Sequence, residues 1–205
     1  TLGNLTEMVI ARLEQAIVDG EFGLGEAISE ETLAKAFGVS RTPVRDALSF
    51  LQLNGLVSVV SKKGSFVFEP TAEDTAMLCD YRLLLESEGL RLSHRRAKQS
   101  TRDAMRRSLN AMALVHVNDA VAYGRADTLF HQAFLDNCGN TYLLDAYRLA
   151  SGKIAALRTH LTVHVVERRN RSFDEHAAMI RMFAEDDLGG LISLIADSTI
   201  SGKIA

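Results

Sequence analysis

Asp127 and His131 stand four residues apart, and on a helix that spacing puts a carboxylate and an imidazole on one face. A pair so placed can chelate one cation. His176 lies far along the chain and could face the pair across a helical bundle. Imidazole with carboxylate suits Zn, Ni, Fe or Mn, and the residue types do not choose among them. The opposite reading is a surface acid beside a buried, hydrogen-bonded histidine. Arg82 and Glu86 repeat the spacing with opposite charges. A buried guanidinium needs an anionic partner, which is either the carboxylate of a bound small molecule or Glu86 itself. Arg158 is a second candidate for such an anion. His160 and His164 are also four apart and read mainly as polar core or surface residues.

A second constellation sits near the N-terminus, in Ser40-Arg41-Thr42-Pro43-Val44-Arg45. Val44, Leu48 and Leu51 recur at i, i+4 and i+7 and would face a core. That leaves Arg41, Thr42, Arg45 and Ser49 on the other side. Arginine can grip guanine O6 and N7 with two hydrogen bonds. The hydroxyls of Ser40 and Thr42 and the helix N-terminus suit phosphate oxygens. Downstream, Lys62, Lys63 and Gly64 could meet an adjacent phosphate or the minor groove. The expected partner is double-stranded DNA.

The elements that must position these groups follow from periodicity and punctuation. Leu5, Met8, Val9, Leu13, Ala16 and Ile17 give a first helix, ended by Gly20, Gly23 and Gly25. Ser29 caps a second over 30–37, and Gly38 closes it in a left-handed conformation. A third is predicted from about Thr42 to Asn54, with Thr42 as N-cap and Pro43 in the first helical position. The β-branched run Leu56–Val60 and the segment Ser65–Phe68 flank a turn at Lys62-Lys63-Gly64 and predict a hairpin. Three helices and a hairpin make a winged helix-turn-helix. From Thr71 onward helical runs are predicted at 72–97, 100–116, 117–137, 141–166, 174–185 and 187–200, an all-α antiparallel bundle. The domains divide as 1–70 and 71–205.

Composition is that of a globular protein: 205 residues, 47% hydrophobic and 24% charged. The net charge of −3 argues against DNA binding only through its sum. Up to Pro70, five of the six basic residues fall between Lys35 and Lys63, while Glu7, Glu14, Asp19 and Glu21 lie upstream, so a local basic face is available. The pairs within Arg95-Arg96-Ala97-Lys98, Arg106-Arg107 and Arg168-Arg169 read as solvated faces. No stretch approaches the ~20 apolar residues of a membrane span, and Thr1-Leu2-Gly3-Asn4 lacks the form of a signal peptide. Cys79 and Cys138 belong to no CxxC motif and are expected as reduced thiols of a cytoplasmic protein. No nucleophile elbow, Walker loop or HExxH motif points to an enzyme. A metal-dependent hydrolase or decarboxylase built on Asp127, His131 and His176 is the alternative, and a DNA-binding protein without an effector is another. The pentapeptide Ser-Gly-Lys-Ile-Ala recurs at 151–155 and 201–205 between unmatched flanks.

The text DGEFGLGEAISEETLAKAFGVSRTPVRDALSFLQLNGLVSVVSKKGSFV resembles the DNA-binding domain of the GntR family of bacterial regulators over residues 5–68. The resemblance implies that Ser40, Arg41, Thr42, Arg45 and Gly64 contact an operator. It departs at Glu31, where some members carry a DNA-touching arginine. Residues 75–200 resemble, more loosely, the FCD domain of the FadR-like branch. The marks are Arg82-x-x-x-Glu86, Asp127-x-x-Phe130-His131 with Asn140 nearby, and Glu175-His176. The implied function is a ligand-responsive regulator, a repressor in the expected sense, that binds a pseudo-palindromic operator as a homodimer. A small carboxylate effector would sit over a divalent metal, with Arg82, Asn140 and Arg158 as its candidate contacts. Such metals are held by one Asp and three His. Here the third His position, about six helical turns beyond His176, is Ser198. Three readings stay open: three ligands completed by water or effector, Asp197 as the substitute, or a metal-free polar pocket.

Overall fold

The computed structural model describes residues 2–115, 119–160 and 166–201. Contacts group them into two units, Thr1–Pro70 with Leu149–Ala156, and Thr71–Arg148 with Leu157–Ala205.

In the first unit α1 (Leu2–Val18) buries Val9, Leu13, Ala16 and Ile17 along one stripe. After it, α2 (Glu30–Phe37) begins at Ser29, whose hydroxyl accepts from the Thr32 N–H, and ends at Gly38 with φ 66°. That left-handed turn is open to glycine without steric penalty. It lets the Val39 N–H reach back to the Ala34 carbonyl, so only three residues separate α2 from the next helix. That helix, α3 (Arg41–Leu53), buries Val44, Ala47, Leu48 and Leu51. Its N-cap is Ser40, not Thr42 as the sequence suggested. Pro43 therefore sits third in the helix, and it is tolerated there because the first four N–H groups have no intrahelical partner. The hairpin forms from β2 (Val57–Val60) and β3 (Gly64–Val67), and β1 (Ala27–Ile28) adds to β3 in the order β1-β3-β2, all antiparallel. Two residues are too short for any alternation, so β1 left no trace in the sequence.

The second unit opens with α4 (Ala72–Leu114), held by a capping box between Thr71 and Asp74. Ala97, at φ −151° and ψ 41°, breaks it into two helical segments, the join expected between the runs 72–97 and 100–116. Then come α5 (Ala120–Asp136), α6 (Thr141–Arg158), α7 (Val166–Ala184) and α8 (Leu188–Ser201). Phe130, Phe134, Leu135, Leu90, Met105, Phe183 and Leu191 form the apolar centre. Gly89 lets α4 and α5 approach closely, since a Cβ there would lie 2.9 Å from Leu135 Cδ2.

Of the predicted helices at 141–166 and 174–185, the second needs correcting. α6 passes into a π-helical turn at Thr159–His160, and residues 161–165 lie outside the described residues. α7 starts eight residues before the predicted 174. The early part of α7, residues 167–173, is mostly polar and reads as a break between helices. Its buried positions, Arg169, His176, Met179, Ile180 and Phe183, keep helical spacing, but two are charged or titratable and so escape an apolar pattern. The basic pairs also divide. Arg96 donates to the carbonyls of Cys138 (2.9 Å) and Gly139 (2.7 Å). Arg169 is buried, with its guanidinium 5.9 Å from the Tyr123 ring centre. Neither is a solvated face. Cys79 and Cys138 form no disulfide, and no helix among the described residues is long and apolar enough to cross a membrane.

Candidate functional site

The packing of α3 against its own unit leaves Ser40, Arg41, Thr42, Arg45 and Ser49 exposed on the outer face. Ser49 donates to the Arg45 carbonyl at 2.9 Å, which leaves its oxygen as an acceptor only. Lys62, Lys63 and Gly64 are exposed at the wing turn, where Lys62 has φ 62° and Gly64 φ 113°. One residue on this surface was not foreseen. Glu30, in the first turn of α2, places a single oxygen 3.1 Å from Arg45 Nη2 and 3.4 Å from Arg41 Nη2. The Arg45 hydrogen bond, then Arg41, holds its carboxyl below the usual range despite some desolvation.

In the second unit, Asp127, His131 and His176 converge. Asp127 and His131 come from one face of α5, and His176 comes from α7. One donor atom from each lies within 4.8 Å of the others. His131 Nε2 and His176 Nε2 are 3.2 Å apart, and His176 Nε2 is 3.4 Å from Asp127 Oδ1. Two nitrogens bound tetrahedrally at ~2.0–2.1 Å stand roughly 3.3 Å apart, so the donor set fits a small divalent cation. Ser172, one turn before His176, donates to Asp127 Oδ1 at 3.2 Å and lies 3.2 Å from His176 Nδ1.

Two guanidiniums enclose this cluster. Arg158 Nε lies 2.7 Å from Asp127 Oδ2, both groups buried. Arg82 Nε donates to Glu86 Oε1 at 2.8 Å, and the Glu86 side chain is 0% exposed. The second Glu86 oxygen is 3.2 Å from His131 Nδ1, and Tyr147 donates to the first at 3.3 Å. Arg82 Nη2 stands 3.2 Å from His131 Nε2. Arg82 thus keeps both readings: it is paired with Glu86, and it also lines a cavity of about 120 Å³ with Asp127, His131, Arg158, His176 and Ser198. Arg168, Arg171, Ser172, Glu175 and Met179 complete the lining, all from α7. Arg158 Nη2 is buried without a hydrogen-bond partner among the described residues.

Other expected residues fall elsewhere. Asn140 is the cap of α6, its Oδ1 accepting from the Leu143 N–H at 3.2 Å, and it does not line the cavity. A cap must sit at the helix start, whereas α6 meets the cavity at its last residue, Arg158. Ser198 reaches the cavity, with its hydroxyl donating to the Ile195 carbonyl at 3.0 Å. Asp197 is exposed and outside the lining, as the helical rotation between neighbours requires. His160 is outside the lining too, and His164 lies outside the described residues.

Burial pushes His176 down to about 4, against the opposing pull of Asp127, and pushes His131 down against Glu86. Burial acts most strongly on the Asp127 carboxyl and raises it, but Arg158, His176, His131 and Arg82 together outweigh it and hold the group at about 2. Burial also raises Glu86, and Arg82 with His131 together hold it far below the carboxylate range. A buried neutral imidazole takes up its proton only on unfolding. The unfolded state therefore binds more protons below the ordinary 6.5 of histidine, and stability falls with acid. Urea midpoints should be level above about pH 7 and drop as the pH falls from 6.5 toward 4. His176→Asn should flatten that early slope, and an unchanged slope would place the imidazole in solvent.

An exposed arginine-bearing helix beside a basic wing, in a chain that also carries an all-α unit with a charged cavity, is the plan of a DNA-binding regulator. The sequence matches the family described as bacterial regulatory proteins, gntR family, over residues 5–67, and the FCD domain over residues 77–196. The HTH-type transcriptional repressor NanR of Escherichia coli (strain K12) is 30% identical, covering 89% of this chain and 77% of that protein. The uncharacterized HTH-type transcriptional regulator YdhC of Bacillus subtilis is 29% identical over 64% of this chain, which spans 60% of that protein's length. In fold, a crystal structure of a GntR transcriptional regulator from Rhodococcus sp. RHA1 superposes with TM-score 0.84 at 22% identity, covering 97% and 95% of the two chains. E. coli McbR/YncC gives 0.79 at 18% identity, covering 96% and 94%. The chain belongs to the GntR family, with a winged helix-turn-helix followed by a helical FCD domain. Its relatives are transcriptional regulators, not enzymes.

Proposed function

We propose that this chain is a cytoplasmic, ligand-responsive repressor that binds a pseudo-palindromic operator as a homodimer. Residues 1–70 read the DNA and residues 71–205 sense an effector and dimerise. Each recognition helix α3 enters one major-groove half-site, with Arg41 and Arg45 toward base edges. Ser40, Thr42, Ser49, Lys62, Lys63 and Gly64 lie toward the backbone. Asp127, His131 and His176 hold a divalent metal, and a small organic acid binds in the adjoining cavity against Arg82 and Arg158. The metal, when bound, supplies a second positive anchor for the acid's oxygens.

The observation that carries the sensing role is the unmatched Arg158 Nη2 donor beside a charged cavity. A buried donor without an acceptor is costly, and a carboxylate oxygen would satisfy it. Charge supports the same class of ligand. With both imidazoles neutral, Arg82 and Arg158 already balance Glu86 and Asp127. A divalent cation would leave a net charge of +2 in a buried site, and anions restore the balance. The effector shifts the protein between bundle states only by binding one of them more tightly.

A metal-free anion pocket is the second reading. Arg82 Nη2 at 3.2 Å from His131 Nε2 contends for the lone pair a metal would take. Elemental analysis with thermal shifts across a panel of organic acids separates the two. Near-stoichiometric metal, lost in His131→Ala, with an acid-dependent rise in melting temperature, is the expected result. An acid response with no metal favours the second reading. No response to any acid or metal sinks the sensing role.

A further inference from the structure

We infer that Glu30 is a specificity-determining residue that holds Arg41 and Arg45 back from non-cognate DNA. The inference rests on the reading of α3 as the DNA-facing helix. One Glu30 oxygen contacts a terminal nitrogen of each guanidinium, at 3.1 and 3.4 Å. The arginine side chains are 61% and 64% exposed and Glu30 is 25% exposed. Both cations are therefore accessible to DNA yet tethered to one carboxylate on the neighbouring helix. The position of Glu30 in the first turn of α2 suits the helix dipole. That explains an acid there, and Glu31 meets the same need. It does not explain a side chain aimed across the joint at two arginines, eleven and fifteen residues on.

A carboxylate in this place competes with phosphate for the same N–H donors. Phosphate contacts occur on every sequence and carry no base information. Breaking the bridge for a phosphate alone exchanges one anion for another. Breaking it for a guanine edge gains the bidentate bond as well. The bridge thus subtracts about equally from all sites, and only cognate sites regain the loss. It also cancels one positive charge on a reading surface that presents few, which lowers counterion release on non-specific duplex.

Glu30→Gln should bind a labelled duplex of scrambled sequence roughly fivefold to tenfold more tightly at 0.1 M salt, with a log–log salt slope steeper by about 0.9 for each winged helix. Binding to a duplex selected by the wild-type chain from a randomised pool should tighten less than about twofold, so the ratio of the two affinities falls. Glu31→Gln removes the same charge one residue away and leaves the bridge intact. It should leave the ratio unchanged. Both variants should melt with the wild type, since the pairs are surface-exposed. Equal shifts on both duplexes, or equal shifts in both variants, would reduce Glu30 to a contributor of general field and overturn the inference. Loss of binding to both duplexes in Glu30→Gln would overturn it too, because Glu30 would then be organising the helix for all DNA. Failure of the wild-type chain to select any duplex would strike the DNA-facing assignment of α3 and not the bridge.

Discussion

Glu86→Ala is expected to destabilise the helical unit by about 3–5 kcal/mol in urea denaturation followed by circular dichroism. The side chain is fully buried and serves three groups: Arg82 at 2.8 Å, His131 at 3.2 Å and Tyr147 at 3.3 Å. Removing it strands the Arg82 guanidinium, which is itself largely buried, next to a second buried guanidinium at Arg158. An unpaired buried charge loses far more than the pair contributes, because little water reaches it and the other nearby carboxylate, Asp127, is already paired with Arg158. The argument has an internal control. Converting both partners, Arg82→Met with Glu86→Leu, removes the two charges together. It should recover most of the stability lost in the single variant, while abolishing the acid-dependent thermal shift. A loss below about 1 kcal/mol in Glu86→Ala would mean that water or mobile anions reach Arg82 in the folded state. The same ion pair explains why Arg82 is both structural and functional. Glu86 fixes its Nε, and Nη2 is left to face His131 and the cavity.

Much of this architecture was legible because the sequence changes period where the structure changes element. The three-helix-and-wing plan follows from Gly38, from the buried stripe Val44–Leu48–Leu51 and from the β-branched run before Lys62. The Asp127, His131 and His176 cluster followed from one i, i+4 spacing and a distant imidazole. What stayed hidden was hidden for physical reasons. Glu30 looked like an ordinary first-turn acid, because its partners are set by the angle between α2 and α3 and not by sequence distance. Ser172, Arg168 and Arg171 were lost when 167–173 read as a break between helices, since a helix that buries charge on its inner face has no apolar signature. Asn140 was named as a binding group through the FCD resemblance. Its amide instead terminates the Gly139 turn and starts α6. Ser198 could be counted into the cavity, but only the coordinates show that its hydrogen is spent on the Ile195 carbonyl.

Arg45→Ala should weaken binding to the selected duplex by about 1–3 kcal/mol for each half-site contacted, about 5- to 150-fold, and relax preference at one base-pair position. The side chain is 64% exposed and paired only with surface groups, so folding stability should move by less than about 0.5 kcal/mol. The loss can then be assigned to DNA. Its signature separates a base contact from a phosphate contact. A residue that reads a base edge loses affinity selectively: single-base variants of the duplex that cost the wild-type chain affinity should cost Arg45→Ala nothing more. A residue on phosphate loses affinity uniformly, and the salt slope falls by about 0.9. Lys63→Ala, at the exposed wing turn, is expected to behave in this second way. Arg41 remains paired with Glu30 in the Arg45→Ala variant, so the bridge keeps one anchor and the reading helix keeps its place. Wild-type affinity in Arg45→Ala, with base preference intact, would remove α3 from the major groove and with it the whole polarity assigned to that helix.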